Sequence, residues 1–331
     1  MKPSLSNQIF GHVTQRESLA RLFTKDRLPS TLLFSGPEGI GKQLVAKELA
    51  RTLLCKNPVI YGGCGNCSSC SLIESSNHPD FFTVASSDKE IWGTEGIKSL
   101  LHSLSLTSFA GTGRVIIFDD AEDLHTASAN ALLKSLEEPR PRTWFIIVTS
   151  NASKLPSTIR SRSQSWFFNA LSEEDTDKAV TQLNLKFNDG EFTKADLRIL
   201  ASGSPGSTSR FLKYGELWLV IKKLLHDVYD GDVHEAAKGA PKLSKDKEAL
   251  PFVLVFMRAV ARDAMLRAGD SLKNDQRWAT CVMNSVSAER LIFERNLSAQ
   301  TTLLTLLMNL APNRHSNKAP RGNLLDEIAL P

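Results

Sequence analysis

Residues 32–50 read LLFSGPEGIGKQLVAKELA, an apolar run that meets a glycine-rich turn and continues as a helical pattern. Gly36, Pro37, Gly39, Gly41 and Lys42 fit the spacing G-x-x-x-x-G-K, in which successive backbone N–H groups and a helix N-terminus cradle phosphates and the lysine reaches the terminal ones. ATP or ADP is the ligand this implies; a plain strand-to-helix turn is the alternative. Gln43 stands where such loops carry Ser or Thr. The missing hydroxyl is a Mg²⁺ ligand, and a longer, differently aimed amide predicts weak metal-dependent hydrolysis. A second run, RVIIFDDAEDLH, ends an apolar strand on Asp119 and Asp120. Carboxylates there can serve Mg²⁺ and activate water, or simply end a strand. Asp120 is one methylene shorter than Glu, so it reaches an attacking water poorly.

A third group is cysteine. Cys55, Cys64, Cys67 and Cys70 are spaced C-x8-C-x2-C-x2-C, with Gly62, Gly63 and Gly65 between them to allow tight turns. Four thiolates in one short excursion suit tetrahedral Zn²⁺, and with all four positions supplied by protein the zinc would be structural. Free thiols are the alternative. Cys281 stands apart in an amphipathic pattern and reads as a buried apolar residue. Arg160 and Arg162, in KLPSTIRSRSQSWFF, precede an edge strand. There an arginine either forms a surface ion pair or presents its planar fork to a phosphate on another chain.

The elements that position these groups follow from periodicity. Runs at 31–35, 81–85, 114–118, 144–149 and 165–168 are short, β-branched or aromatic, and separated by segments long enough for crossover helices. This predicts an α/β domain with a mostly parallel sheet covered on both faces. Leu44, Val45, Leu49 and Leu53 lie near one helical face, Thr126 is a candidate cap for a helix that stops at Pro139, and Ser172 with Asp175 makes a capping pattern. After residue 169 strand signals fade. Two short helices are expected across Gly203–Gly206, then longer ones over roughly 215–230, 247–268, 275–295 and 298–310, with DGDVHEAAKGAPKLSKD as a linker and 312–331 as a frayed tail.

With 331 residues, 41% hydrophobic and 23% charged, the chain has the composition of a soluble globular protein of two or three domains. A net charge of +4 permits nucleic-acid contact without requiring it. No signal-peptide pattern or 18-residue apolar run is present, so the expected location is the cytoplasm, where clustered cysteines favour metal over disulfides.

Taken together, GPEGIGK, the four inserted cysteines, SNHPDF at 76–81, GTGRVIIFDDAEDLHTASANALLKSLEEP at 111–139 and KLPSTIRSRSQ at 154–164 resemble the delta-prime family of bacterial DNA polymerase III clamp-loader subunits, among the AAA+ proteins. The resemblance runs through roughly residues 5–210. It implies an AAA+ nucleotide-binding domain at 1–168 with the zinc module at 55–70, a helical lid at 169–212, and a C-terminal helical collar at 213–331. It also implies partners: gamma/tau motor subunits, delta, the sliding clamp and primer-template DNA. Ser161, Arg162 and Ser163 occupy the family's S-R-C motif, whose arginine acts in trans on a neighbour's ATP; Ser163 departs from Cys. Thr149–Asn151 fall in the sensor-1 region, and Ser207 stands where a second sensor arginine is expected, with Arg210 three residues on. The implied role is an assembly subunit with a damaged site of its own and an intact finger for another. The competing readings are an active gamma/tau-like motor, a stand-alone P-loop NTPase, and a zinc module that binds nucleic acid; the last is disfavoured because no Arg or Lys lies between Cys64 and Cys70.

Overall fold

Strand-length apolar runs that must be covered on both sides dictate the first half of the molecule. The computed structural model describes residues 9–104, 108, 111–183, 193–268 and 276–312. The chain divides into two compact units, one within residues 1–184 together with 203–207, the other within 185–202 together with 208–331.

In the first unit α1 (Val13–Thr24) leads to β1 (Thr31–Ser35), α2 (Lys42–Leu54), α3 (Ser68–Glu74), β2 (Phe81–Val84), α4 (Lys89–Trp92) and α5 (Thr94–Ser103). There follow β3 (Arg114–Phe118), α6 (Thr126–Glu137), β4 (Thr143–Thr149), α7 (Ser157–Ser161), β5 (Gln164–Phe167) and α8 (Glu173–Gln182). All strand pairs are parallel, in the order β2-β3-β4-β1-β5. Thr31 pairs with Phe145 and Leu32 with Gln164, while Val115 pairs with Phe81 and Trp144. Leu32, Phe34, Val115 and Ile117 pack with α2 on one face; Leu33, Ile116, Phe118 and Ile147 pack with α5 and α6 on the other. Burial on both faces is why β3 is apolar at four consecutive positions rather than alternating. The cap position of α6 falls on His125 instead of the expected Thr126, which is already the first residue of the helix. Ser172 caps α8, accepting a hydrogen bond from the Asp175 N–H.

The second unit is helical. Its elements are α9 (Lys194–Ala201), α10 (Thr208–Leu212), α11 (Gly215–Tyr229), α12 (Val233–Ser244), α13 (Leu250–Ala268), α14 (Arg277–Phe293) and α15 (Ala299–Leu310). Trp218, Phe211 and Phe256 meet edge to face in its core, and Arg277 lies over the Tyr229 ring, which stacks on Trp278. The stretch expected as a linker folds instead as α12. Asp232 caps it by accepting from the His234 and Glu235 N–H groups, and Ala236, Ala240 and Leu243 are buried. Gly239 and Pro241, which read as breakers in isolation, are accommodated: an added Cβ at Gly239 would lie 2.6 Å from a Leu224 methyl, so glycine allows α12 to approach α11 closely. The expected tail beyond residue 312 lies outside the described residues. No helix among the described residues is long and apolar enough to cross a membrane.

Candidate functional site

In an open parallel sheet, loops leaving the carboxyl ends of the strands converge where neighbouring connections diverge. Here β1, β3 and β4 end side by side, delivering the glycine loop, the Asp119–Asp120 pair and the Thr149–Asn151 segment to one place. The loop turns at Gly39 (φ 74°), where the strand-to-helix path needs the left-handed region. The 205–207 turn seats on this apex: the Gly206 N–H donates to the Gly39 carbonyl at 2.8 Å, and a Cβ on Gly39 would meet Ser207 Oγ at 2.6 Å.

Lys42 opens α2, is buried, and donates from Nζ to the Gly36 and Pro37 carbonyls, each at 2.7 Å. Burial lowers its pKa, opposed by the carboxylates of Glu122 and Asp119. Gln43 donates from Nε2 to Asp119 Oδ2 at 2.5 Å. Burial raises the pKa of Asp119 against the Asp120 N–H bond and the Lys42 charge, and burial followed by repulsion from Asp119 raises that of Asp120. Asp120 itself sits at φ 53°. The neighbouring cavity of 520 Å³ has Lys42, Gln43 and Asp119 on one side and Ile9, Phe10 and Leu171 among its apolar lining. The lining joins phosphate-sized polar groups to a surface that could shelter an apolar or aromatic body.

Glu122 is not marked by motif or spacing. Its carboxylate accepts from the Ser150 N–H at 3.0 Å and from the Ser150 hydroxyl. Burial opposes ionisation, but these bonds hold its pKa below the usual carboxylate range. The third acid in DDAE was the available signal, and only the sheet brings it to Ser150. Asn151 accepts from Ser153 N and Oγ, so its side chain caps the turn at 152–154. Arg210, raised as the displaced sensor arginine, has its side chain outside the description.

Arg162 ends α7 away from these groups. It donates from Nε to Glu137 Oε1 at 2.5 Å and from a terminal nitrogen to the Thr158 carbonyl at 3.0 Å, its side chain remaining 32% exposed. Within this chain Arg162 is ion-paired to Glu137. Glu137 is a second residue the sequence reading left unassigned.

The cysteines form a separate centre. Their Sγ atoms all lie within 4.8 Å of one another, with Cys55–Cys67 at 3.8 Å and Cys55–Cys70 at 3.6 Å. Four thiolates around one ion at the usual ~2.3 Å bond length stand about 3.8 Å apart, so the donor set fits a tetrahedral metal. The N–H groups of Asn57 and Cys64 donate to Cys55 Sγ, the kind of support that orients thiolate ligands. Burial resists ionisation of Cys67, but hydrogen bonds from Lys56 and Cys70 bring it to about 6, whereas burial pushes Cys70 up to about 12. SNHPDF ties this centre to the sheet. His78 bonds Ser69 Oγ through Nε2 and accepts from the Asp80 N–H, and Asp80 pairs with buried Arg114, which also donates to the Leu104 carbonyl. Cys281 is buried in α14, its thiol pushed up to about 12 by burial.

Residues 11–172 match the family described as DNA polymerase III, delta subunit. The chain is similar to DNA polymerase III subunit delta' of Escherichia coli (strain K12), 28% identical over 256 residues that span 76% of this chain and 74% of that one. It is 37% identical to subunit delta' of Pseudomonas aeruginosa over 39% of this chain and 40% of the relative. It is 31% identical to subunit tau/gamma of Haemophilus influenzae over 62% of this chain and 30% of the relative. The match thus spans less than half the length of the last two relatives.

Proposed function

From the family match over residues 11–172 and the similarity to subunit delta', we propose that the chain is a clamp-loader assembly subunit of the delta-prime kind, whose own nucleotide site does not hydrolyse ATP and whose Arg162 completes a neighbour's site. The carrying observation is the hydrogen bond from Gln43 to Asp119. A working site of this kind uses a hydroxyl at position 43 and the Asp119 carboxylate to hold Mg²⁺. Here an amide N–H donates to that carboxylate oxygen, and Asp120 is short for aligning water. ATP or ADP would still engage the loop once Lys42 exchanges the Gly36 and Pro37 carbonyls for phosphate.

Arg162 would act in trans. An exposed ion pair is worth about 1 kcal/mol or less. Glu137 can therefore hold the guanidinium fork in place and still yield it to a triphosphate presented by a gamma/tau motor subunit. The partners on this reading are gamma/tau and delta, the sliding clamp, and primer-template DNA gripped through its phosphates. The division into a domain at 1–168, a lid at 169–212 and a collar at 213–331 is part of the same proposal, with the C-terminal helices meeting those of other subunits. Cys55, Cys64, Cys67 and Cys70 would hold a structural Zn²⁺, closed to water.

The test is ATP turnover by the chain alone, then by the chain reconstituted with gamma/tau, delta, clamp and primed DNA. We expect no turnover alone, and at least a tenfold loss in the assembly on Arg162→Ala, since arginine fingers contribute roughly 10³–10⁵ at a fully dependent site. Unchanged turnover in the Arg162→Ala assembly would remove the finger. A second reading, a gamma/tau-like motor, is favoured by the retained Lys42 and the similarity to the Haemophilus subunit. It requires robust turnover by the chain alone, abolished by Lys42→Ala.

A further inference from the structure

Leu44, Lys47 and Arg51 recur on one face of α2 at helical spacing, and that face borders a second cavity, of 590 Å³, along the outer edge of β2. Among the described residues, strand β2 ends the sheet and pairs with β3 alone. Its Asp80 and Val84 carbonyls accept from Val115 and Asp119, so by alternation the backbone of Thr83 faces away from the sheet, into the groove. The cavity wraps this open edge and has two lobes. On the α2 side lie Lys47, Arg51, Ile73 and Phe81; on the other lie Phe82, Ile91 and Leu100.

Arg51 is 5% exposed, yet its Nε has no hydrogen-bond partner. A cation in the last turn of a helix is favoured by the helix dipole. That accounts for the charge but not for burying a guanidinium N–H unsatisfied, an arrangement proteins avoid because desolvation goes uncompensated. The fork geometry of arginine matches a carboxylate or phosphate. The cavity mixes apolar side chains with Lys47, Arg51, Ser76 and the exposed Glu74, so that two cations face one acid, and its volume is that of a small-ligand site.

We propose that this groove binds a small organic anion: its carboxylate or phosphate head lies against Arg51 and Lys47, and its apolar body crosses the open edge of β2 into the lobe of Phe82, Ile91 and Leu100. The proposal is independent of the nucleotide site. The probe is hexanoate, titrated calorimetrically into the full chain, with hexylamine and inorganic phosphate as controls. Hexanoate is expected to bind at least tenfold more tightly than either control. Arg51→Met should weaken hexanoate at least tenfold while leaving the ligand-free melting temperature unchanged or higher, because an unpaired buried charge gives way to an apolar chain of similar length. Ile91→Glu, at a partly exposed position with Arg51 intact, should abolish hexanoate binding by placing a like charge in the apolar lobe. Equal binding of hexylamine, phosphate as tight as hexanoate, hexanoate affinity unchanged in either variant, or a lower melting temperature in Arg51→Met would each overturn the assignment.

Discussion

On the proposed reading, Gln43 alters what the loop does without altering its shape. The loop still turns at Gly39 and still opens α2 with Lys42, but the carboxylate that would receive a metal is engaged by an amide 2.5 Å away. Gln43→Thr removes that donor and supplies a hydroxyl, so nucleotide binding should become metal-dependent. With a fluorescent ADP analogue, the native chain is expected to show the same affinity with and without Mg²⁺ within about twofold. The variant should gain at least tenfold on adding Mg²⁺, about 1.4 kcal/mol. Metal-dependent binding by the native chain, or none in the variant, would mean that position 43 does not control the metal. Glu122 and Glu137 carry a related lesson. Both are ordinary acids in the sequence, and each gains meaning only from Ser150 or Arg162, 28 and 25 residues away.

At the scale of elements, packing overrides composition in α12. Val233–Ser244 contains Gly239 and Pro241, and an isolated peptide of this kind would not hold a helix. The helix forms because Asp232 satisfies two of its first N–H groups and because its small residues let it lie close against α11. Asp232→Ala should therefore cost about 1 kcal/mol of stability, the usual loss for an N-cap. Urea unfolding of the full chain measures this, and an unchanged midpoint would show that packing alone holds the helix. The strands behave oppositely. Their runs are short, β-branched and bounded by turn residues, so local sequence and burial agree, and they appear within about a residue of the expected limits.

For the molecule as a whole, the cysteine centre sits at the C-terminal end of α2, the helix whose N-terminal end carries Lys42 and Gln43. Through Ser69, His78, Asp80 and Arg114 it is tied to β2 and β3. If the four thiols hold the proposed metal, a strong chelator should consequently loosen the first unit and spare the second. Hydrogen exchange on the intact chain is expected to rise severalfold in α2, α3 and β2 while α11, α13, α14 and α15 keep their protection. Equal acceleration everywhere, or none, would show that the four thiols do not stabilise that unit through a metal.

By itself the sequence determined the α/β character of the first half, the parallel strands, the helical second half, the loop at 36–42 with its anomaly at Gln43, and the four-thiol group. Each of these is written in local spacing: a period of two or 3.6, a glycine where a turn must close, thiols close enough in the chain to share one ion. Tertiary structure alone decided that Gln43 reaches Asp119 across 76 residues, that Arg162 is engaged by Glu137, that Arg51 is buried with an unpartnered Nε, and that a glycine- and proline-bearing stretch is a helix. Those outcomes depend on which side chains the sheet order and helix packing bring within hydrogen-bond reach, and on which polar atoms they leave without water, neither of which residue spacing encodes.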